Sequence, residues 1–321
     1  SMTAGFSPEH LARYSAGLGN PALQYTVGLA VLWANLLVIW FGLKRGIERV
    51  SEVFVPFFFL VALYLVYVAL SLPGASAAVA EFLRPDFSRI GARELFAALG
   101  QCFFSVGLGA SFALVYGKFI RSDASLAGVA LLSAGGDTLA SLLAALFIVP
   151  AVMVFGLQLN AGPGLLFETL PSLLAAMPAG RIVGSFLLLA LALVSFLSSI
   201  AVFQVVSVSL GEEPVGNWLG RGRLLLLIGL VETLLMIYPG WHPGIIAVLD
   251  LVIGSGFLLA GGLLAVVAIT WSQDRAATIA HIFGTTRPGV FVTLLYLWMR
   301  FVIPLAIASI LVAIVVDTIT G

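Results

Sequence analysis

The residues of this sequence that could bind a ligand lie inside long apolar stretches. Residues 100–111 combine Gln101 and Ser105 with several glycines, among them Gly107. Glycine destabilises a helix by about 1 kcal/mol relative to alanine, and a helix that opens there offers free backbone groups to an ion or a carboxylate. The same small residues also permit close helix packing, which is common in membrane bundles. This stretch is therefore either a broken helix that lines a site or a continuous helix packed tightly by its neighbours.

Two carboxylates occupy similar apolar surroundings. Asp137 is either an interior acid that faces other helices and needs a partner, or the N-cap of a helix, since Gly135-Gly136-Asp137-Thr138 also fits a helix start. Asp250 has uncharged neighbours on both sides and lies more than a full turn inside its apolar run. We therefore expect Asp250 to need a cation or a hydrogen-bond donor.

A pair of hydroxyl groups gives two further interpretations. Ser195 and Ser199 lie four residues apart and share one face of a helix. Such oxygens can coordinate a hard cation, or they can bond back to their own helix carbonyls, and the second interpretation is favoured. The three histidines have no metal-ligand spacing, and neither a nucleophile with its base nor a phosphate-binding loop is present. The sequence predicts no enzyme.

The amino-acid composition indicates what surrounds these groups. Of the 321 residues 61% are apolar and 9% are charged, whereas soluble domains average roughly 45–50% and 25%. Basic and acidic residues balance at 15 each, which excludes the basic surplus of a nucleic-acid binder. The expected surroundings are membrane lipid.

The apolar runs predict an all-α membrane protein with eight transmembrane helices, because a lipid-spanning helix needs roughly 20 apolar residues. No hydrophilic domain or linker separates the runs, so we expect a single bundle over residues 1–321. A proline- and glycine-punctuated segment, residues 158–180, is too broken to span and is predicted to be an outer lid of short helices. The predicted spans are 23–43, 53–72, 95–117, 124–157, 182–210, 224–239, 245–271 and 289–316.

Basic residues in the loops predict the orientation, since they are enriched on the cytoplasmic side. The loops after odd-numbered spans hold nine: Lys44, Arg45, Arg49, Lys118, Arg121, Arg221, Arg223, Arg275 and Arg287. The opposite side holds five: Arg13, Arg84, Arg89, Arg93 and Arg181. We therefore expect a multi-pass protein of the cell (inner) membrane. The N-terminus of this chain is expected to lie on the extracytoplasmic side.

Several segments, in order along nearly the whole chain, resemble the neurotransmitter:sodium symporter family in its bacterial form. Residues 100–109 (Gly-Gln-Cys-Phe-Phe-Ser-Val-Gly-Leu-Gly) with Tyr116-Gly117 are similar to its unwound sixth helix. The other similar segments are residues 45–51 and 84–87, which resemble two of its loops, 137–150 and 162–171, which resemble its seventh helix and outer lid, and 197–200, which resemble its eighth helix.

The resemblance implies a leucine-transporter-like bundle of two inverted five-helix repeats, with solute and sodium bound where the first and sixth helices unwind. The eight predicted spans then correspond to the family's helices four to eleven. The first three helices are expected to be missing from this chain, which would carry only half of a binding pocket. Self-association or a second chain is expected to cover the polar positions that this gap would expose to lipid.

The same resemblance implies roles for particular residues. Ser105 and Asp137 match ligands of the first sodium site, with aspartate where an asparagine is usual. Val194 and Ser198 match ligands of the second site, but Leu197 replaces a usual hydroxyl residue there. The matching positions for the solute pocket are Phe104, Gly107 and Ala110; for chloride or its substitute, Gln101, Ser105 and Ser141; and for the acidic half of the outer gate, Asp250.

Two functions follow from the resemblance. The first is sodium-coupled symport of an amino acid or similar small solute, not competent in this chain without the missing helices. The second is a membrane scaffold or partner-binding protein that kept the bundle and lost transport. The resemblance leaves chloride use open, because chloride-dependent relatives bind chloride at the positions of Gln101, Ser105 and Ser141, whereas chloride-independent bacterial members place a carboxylate nearby, as Asp137 would be here.

Overall fold

The structure, a computed structural model, describes residues 17, 19–105, 112–121, 124–158, 165–177 and 179–320. Within these residues the regular structure is helical. The α-helices, in chain order, are α1 Pro21–Trp40, α2 Arg49–Leu70, α3 Ala75–Phe82, α4 Ala92–Ser105, α5 Phe112–Gly117, α6 Leu126–Val154, α7 Leu170–Ala176, α8 Gly180–Glu212, α9 Pro214–Leu235, α10 Ile237–Trp241, α11 Gly244–Leu249, α12 Leu258–Trp271, α13 Arg275–Phe283, α14 Val290–Leu297 and α15 Ile303–Thr320.

Four π-helical segments, which contain wider turns than an α-helix, interrupt or extend these helices. They comprise Leu43–Glu48, Leu165–Thr169, Asp250–Phe257 and Trp298–Val302. A short 3₁₀ turn, Phe87–Arg89, lies in the exposed loop before α4, where Asp86 accepts a hydrogen bond from the backbone N–H of Ser88 (3.1 Å).

Seven helices of the described chain are long and apolar enough to cross a membrane: Pro21–Trp40, Gly46–Leu70, Leu126–Val154, Gly180–Glu212, Trp218–Trp241, Gly244–Trp271 and Val290–Ile314. They coincide with seven of the eight predicted spans. Large apolar side chains on them point outward, for example Leu131 and Leu132 at 74% and 80% exposure, as expected of a surface that faces lipid. The other predicted span, residues 95–117, covers most of α4 and all of α5; residues 106–111 between them lie outside the described residues.

The described chain forms two compact units. Unit 1 consists of residues 1–85 and 138–242 and is organised around α8, which packs against α1, α2, α7 and α9. One face of α1 supplies Leu32, Asn35, Leu36 and Ile39, spaced as one helical stripe, to a core shared with Ile200 of α8. The predicted lid region contributes α7, whose buried Leu173 and Leu174 belong to the second core of unit 1.

Unit 2 consists of residues 86–137 and 243–321. Its central contact is between α12 and α15, with α4 packed against both. Leu259, Ile307 and Ile310 form its buried core, and Phe103 of α4 packs against them. This arrangement fixes the face of α4 that carries Gln101 and Ser105.

The first turn of α8 depends on a glycine. A Cβ built on Gly180 would lie 1.8 Å from the backbone oxygen of Leu174, which is incompatible with the observed packing of α7 on α8. We expect Gly180→Ala to destabilise the protein by about 3 kcal/mol, because neither backbone can yield without moving a helix. Thermal unfolding in detergent, followed by tryptophan fluorescence, measures the change.

Gly135→Ala in α6 is the matched control, because a Cβ at that position meets nothing within 4 Å. Alanine there is expected to stabilise the helix by about 1 kcal/mol. Equal effects of the two substitutions would contradict the close approach at Gly180.

Candidate functional site

Two of the residues assigned to the first sodium site are in direct contact within unit 2. Ser105, the last residue of α4, donates a hydrogen bond from its hydroxyl to Oδ1 of Asp137 on α6, and the two oxygens are 2.5 Å apart. The two residues are 32 positions apart in sequence, so the fold, not local geometry, brings them together. Ser105 is exposed and Asp137 is half-buried, which leaves this pair accessible to a further ligand.

Asp137 does not start a helix. Helix α6 begins at Leu126, so Asp137 lies eleven positions further along the same helix and its N-terminal turn is far away. The helix-cap interpretation was therefore wrong. The apolar residues before Gly135 continue the helix past two glycines that otherwise resemble a start signal.

The geometry of this pair suits a small hard cation. The Ser105 hydroxyl directs its proton toward the carboxylate, which leaves the oxygen lone pairs free to face an ion. The Asp137 carboxylate adds further oxygen lone pairs and a formal negative charge, and oxygen ligands are those that hard cations prefer. The pair therefore combines two oxygen donors from different helices with charge compensation for a monovalent ion.

Gln101 and Asp250 line one cavity of unit 2. The cavity has a volume of about 230 Å³ and is bounded by Gly100, Gln101, Asp250, Leu258, Leu259, Ile310 and Ile314. Gln101 lies one helical turn before Ser105 on α4. The candidate outer-gate acid and one candidate chloride-site residue thus border the same space.

Asp250 starts the π-helical segment Asp250–Phe257. Its carboxylate lies against the backbone of Gly254, where a Cβ would come within 2.6 Å of Oδ1. Glycine at position 254 therefore leaves room for the observed carboxylate position. π-Helical turns are frequent at functional sites, but nothing in the sequence of this stretch distinguishes such a turn from an ordinary α-helix.

The residues assigned to the second sodium site lie on α8 in unit 1. Val194 and Ser198 are four residues apart and share a face; Val194 is half-buried and Ser198 is exposed. Ser199, the next residue, points elsewhere: its hydroxyl bonds to the carbonyl oxygens of Ser195 and Phe196, each at 3.0 Å. This back-bonding confirms the interpretation that the sequence favoured for Ser199.

Sequence reasoning missed a residue that fixes the rotation of α8. Asn35 on α1 is fully buried, and its Nδ2 donates a 2.8 Å hydrogen bond to the Ser199 hydroxyl. Its Oδ1 has no hydrogen-bond partner within the described structure. The sequence does show Asn35 as a single polar residue in the apolar stripe of α1. This pattern indicates a buried hydrogen bond but does not identify Ser199 as the partner.

The remaining assigned residues are less fully described. Gly107 and Ala110 lie outside the described residues, and so does the choice between a broken and a continuous helix at Gly107. Phe104 belongs to α4, but its side chain is not described. Ser141 is exposed on α6 in unit 1, one turn after Asp137 along the helix.

Comparison with known proteins assigns the fold and the family. A crystal structure of MhsT in complex with L-phenylalanine superposes with a TM-score of 0.84 at 27% identity, covering 98% of this chain and 73% of that one. The uncharacterized sodium-dependent transporter YhdH of Bacillus subtilis is 28% identical over 96% of this chain and 70% of its own length. The sodium-dependent nutrient amino acid transporter 1 of Drosophila melanogaster is 26% identical over 64% of this chain and 33% of its own length.

The fold is an all-α membrane bundle of the leucine-transporter type, which is the fold of a family of membrane transporters. The model of the Sodium:neurotransmitter symporter family matches residues 9–320, and the chain belongs to this family. This confirms the resemblance found in the sequence.

Proposed function

We propose that this chain forms part of a sodium-coupled symporter of an amino acid or a similar small solute. The observation that carries the proposal is the hydrogen bond between Ser105 on α4 and Asp137 on α6, which brings together two oxygen atoms that could both bind a cation. Family membership and the L-phenylalanine complex of MhsT support the kind of solute. Phe104, Gly107 and Ala110 are proposed to contact this solute.

Asp137 is proposed to replace chloride as the charge that accompanies sodium. A chloride ion near Gln101 and Ser105 would need the Ser105 hydroxyl as a donor, and that donor is already directed at Asp137. The negative charge of the Asp137 carboxylate would also repel a chloride ion bound next to Ser105. Gln101, Ser105 and Asp137 would then form a site that does not require chloride.

The second sodium site is proposed to be weak. Val194 and Ser198 retain a backbone carbonyl and a hydroxyl, but Leu197 offers no oxygen where the family usually has a hydroxyl residue. Sodium bound there would have fewer ligands than a hard cation prefers. Coupling would then rest mainly on Ser105 and Asp137.

Transport is proposed to require protein segments beyond these 321 residues. The chain spans 73% of the length of MhsT and 70% of that of YhdH. Gln101 and Ser105 are exposed, although polar groups are costly against lipid, so we propose that further helices or a second chain cover them. A basic partner for Asp250 would come from the same covering segment.

The proposed location is the cell inner membrane, with the beginning of this chain on the extracytoplasmic side. The support is the excess of arginine and lysine, nine against five, in the loops after odd-numbered spans. Arg49 at the start of α2, and Arg221 and Arg223 in the first half of α9, are exposed and would then face the cytoplasm.

Equilibrium binding of radiolabelled L-amino acids, L-phenylalanine among them, tests the proposed function. The full-length protein, meaning these 321 residues together with the proposed further segments, is compared in sodium chloride and in potassium chloride of equal ionic strength, and the 321 residues alone are measured alongside it. We expect sodium-dependent binding by the full-length protein and at least about tenfold weaker binding by the 321 residues alone, because the proposed further segments would supply part of the pocket. Binding that is equal in both salts would contradict symport and favour a scaffold that no longer transports.

A further inference from the structure

A group of aromatic and basic side chains lies in unit 2 where α12 ends. Trp271 is the last residue of α12, and its indole Nε1 donates a 2.9 Å hydrogen bond to the backbone oxygen of Arg300. Arg300 lies within the span Val290–Ile314, and this hydrogen bond places it level with the end of the span Gly244–Trp271; Arg275 follows at the start of α13. A span of this length ends at the headgroup layer of a bilayer. We call Trp271, Arg275, Tyr296, Arg300 and Phe301 the Arg300 cluster.

The two arginines of the Arg300 cluster both contact Tyr296. The guanidinium of Arg300 donates a 3.1 Å hydrogen bond to the Tyr296 hydroxyl, and that hydroxyl donates to the carbonyl of Thr270 (3.1 Å). The guanidinium carbon of Arg275 lies 5.6 Å from the centroid of the Tyr296 ring. Tyr296 is 1% exposed, so it holds both cations on a fixed support.

In the described part of the chain, no carboxylate lies in ion-pair contact with either of these arginines. The acid next to them in sequence, Asp274, uses its Oδ2 to accept hydrogen bonds from the backbone N–H groups of Ala276 and Ala277, at 2.9 and 3.1 Å. Within the part of the chain that the structure describes, neither arginine forms an ion pair. Their mutual repulsion is relieved if an anion binds between or beside them.

Arg300 also has one hydrogen-bond donor that no described residue satisfies. Its Nε is buried and has no partner among the described residues, which is a costly state for a charged donor. The rings of Trp271 and Phe301 lie 5.7 Å from the guanidinium carbon, where they stabilise the charge but offer no acceptor oxygen. A phosphate group supplies paired acceptors that match the planar fork of a guanidinium.

We propose that the Arg300 cluster binds the phosphate of an anionic phospholipid headgroup. A lipid, and not free phosphate, is indicated because the two aromatic residues that contact the Arg300 guanidinium are half exposed: Trp271 at 55% and Phe301 at 53%. Tryptophan rings at the end of a span lie at the level of the headgroups. They would contact the glycerol and upper acyl chain while the arginines bind the phosphate.

Lipid titration of the purified full chain in detergent, followed by native mass spectrometry, tests this proposal. Phosphatidylglycerol and phosphatidylcholine with identical acyl chains are the probes, and inorganic phosphate is added in a separate arm. We expect phosphatidylglycerol to bind about tenfold more tightly than phosphatidylcholine, the effect of one good charge-assisted contact. Arg275→Gln and Arg300→Lys should each reduce this preference to about threefold or less.

Arg287→Gln is the matched control, since Arg287 is an exposed arginine in the loop after α13 and is outside the Arg300 cluster. It should leave the lipid preference unchanged. Arg275 is exposed, so its variant reports on binding even if Arg300→Lys fails to fold. Equal affinity for both lipids, equal loss in the Arg287 variant, or inorganic phosphate that competes fully at the same concentration as the lipid would each overturn the proposal.

Discussion

Replacing Asp137 with asparagine is expected to raise the sodium concentration for half-maximal solute binding at least about tenfold in chloride-free buffer. The substitution keeps the size of the side chain and one oxygen but removes the negative charge beside Ser105. Two unit charges about 4 Å apart interact by about 4 kcal/mol at an effective dielectric of about 20, so a tenfold change is a cautious estimate. The measurement is a sodium titration of radiolabelled solute binding by the full-length protein.

Chloride should partly rescue the Asp137→Asn variant, because an anion near Gln101 and Ser105 would restore the missing charge. Glu81→Gln is the control for charge removal, since Glu81 lies exposed on α3 in unit 1. It should change neither the sodium requirement nor the response to chloride. A variant at position 137 that binds sodium normally and ignores chloride would show that Asp137 has no role in ion binding.

Replacing Asn35 with aspartate is expected to destabilise the protein by about 3 kcal/mol. Asn35 is fully buried between α1 and α8, and its Oδ1 has no hydrogen-bond partner among the described residues. A carboxylate at this position must either lie charged in an apolar core or take up a proton, and both cost free energy. Thermal unfolding in detergent at pH 7 measures the loss.

Asn35→Leu is the matched variant, because leucine is similar in size and removes the unpaired oxygen. Ser199 keeps its bonds to the carbonyls of Ser195 and Phe196, so no new buried polar group is left alone. We expect stability within about 1 kcal/mol of the parent protein. If leucine destabilises as strongly as aspartate, the Oδ1 atom of Asn35 must have an essential partner in the folded protein, and the expectation is wrong.

The sequence predicted the helices well because the membrane imposes a simple rule on them. A run of about 20 apolar residues is needed to span a bilayer, and runs such as those around Leu32 and Leu187 satisfy it without reference to the rest of the fold. The π-helical segment at Asp250 was not predicted, because it depends on how α11 and α12 pack rather than on a residue pattern.

The candidate site was predictable only in part. Composition and spacing found Ser105 and Asp137 as polar residues at depth, and the resemblance to a family paired them, but only the structure gives the hydrogen bond that joins them. Residue patterns left Asp137 open between a cap and an interior acid, since two preceding glycines resemble a helix start. The contact of Asn35 with Ser199 spans 164 residues and has no local signature.

Direct binding of radioactive sodium to the purified full-length protein tests the central claim, that Ser105 and Asp137 form a sodium site. The parent protein is compared with the double variant Ser105→Ala, Asp137→Ala, and with Ser133→Ala as a control for loss of a hydroxyl on the exposed surface of α6. We predict saturable sodium binding by the parent and the control, with loss of at least one bound ion in the double variant. The same number of bound ions at the same affinity in all three proteins would contradict this account.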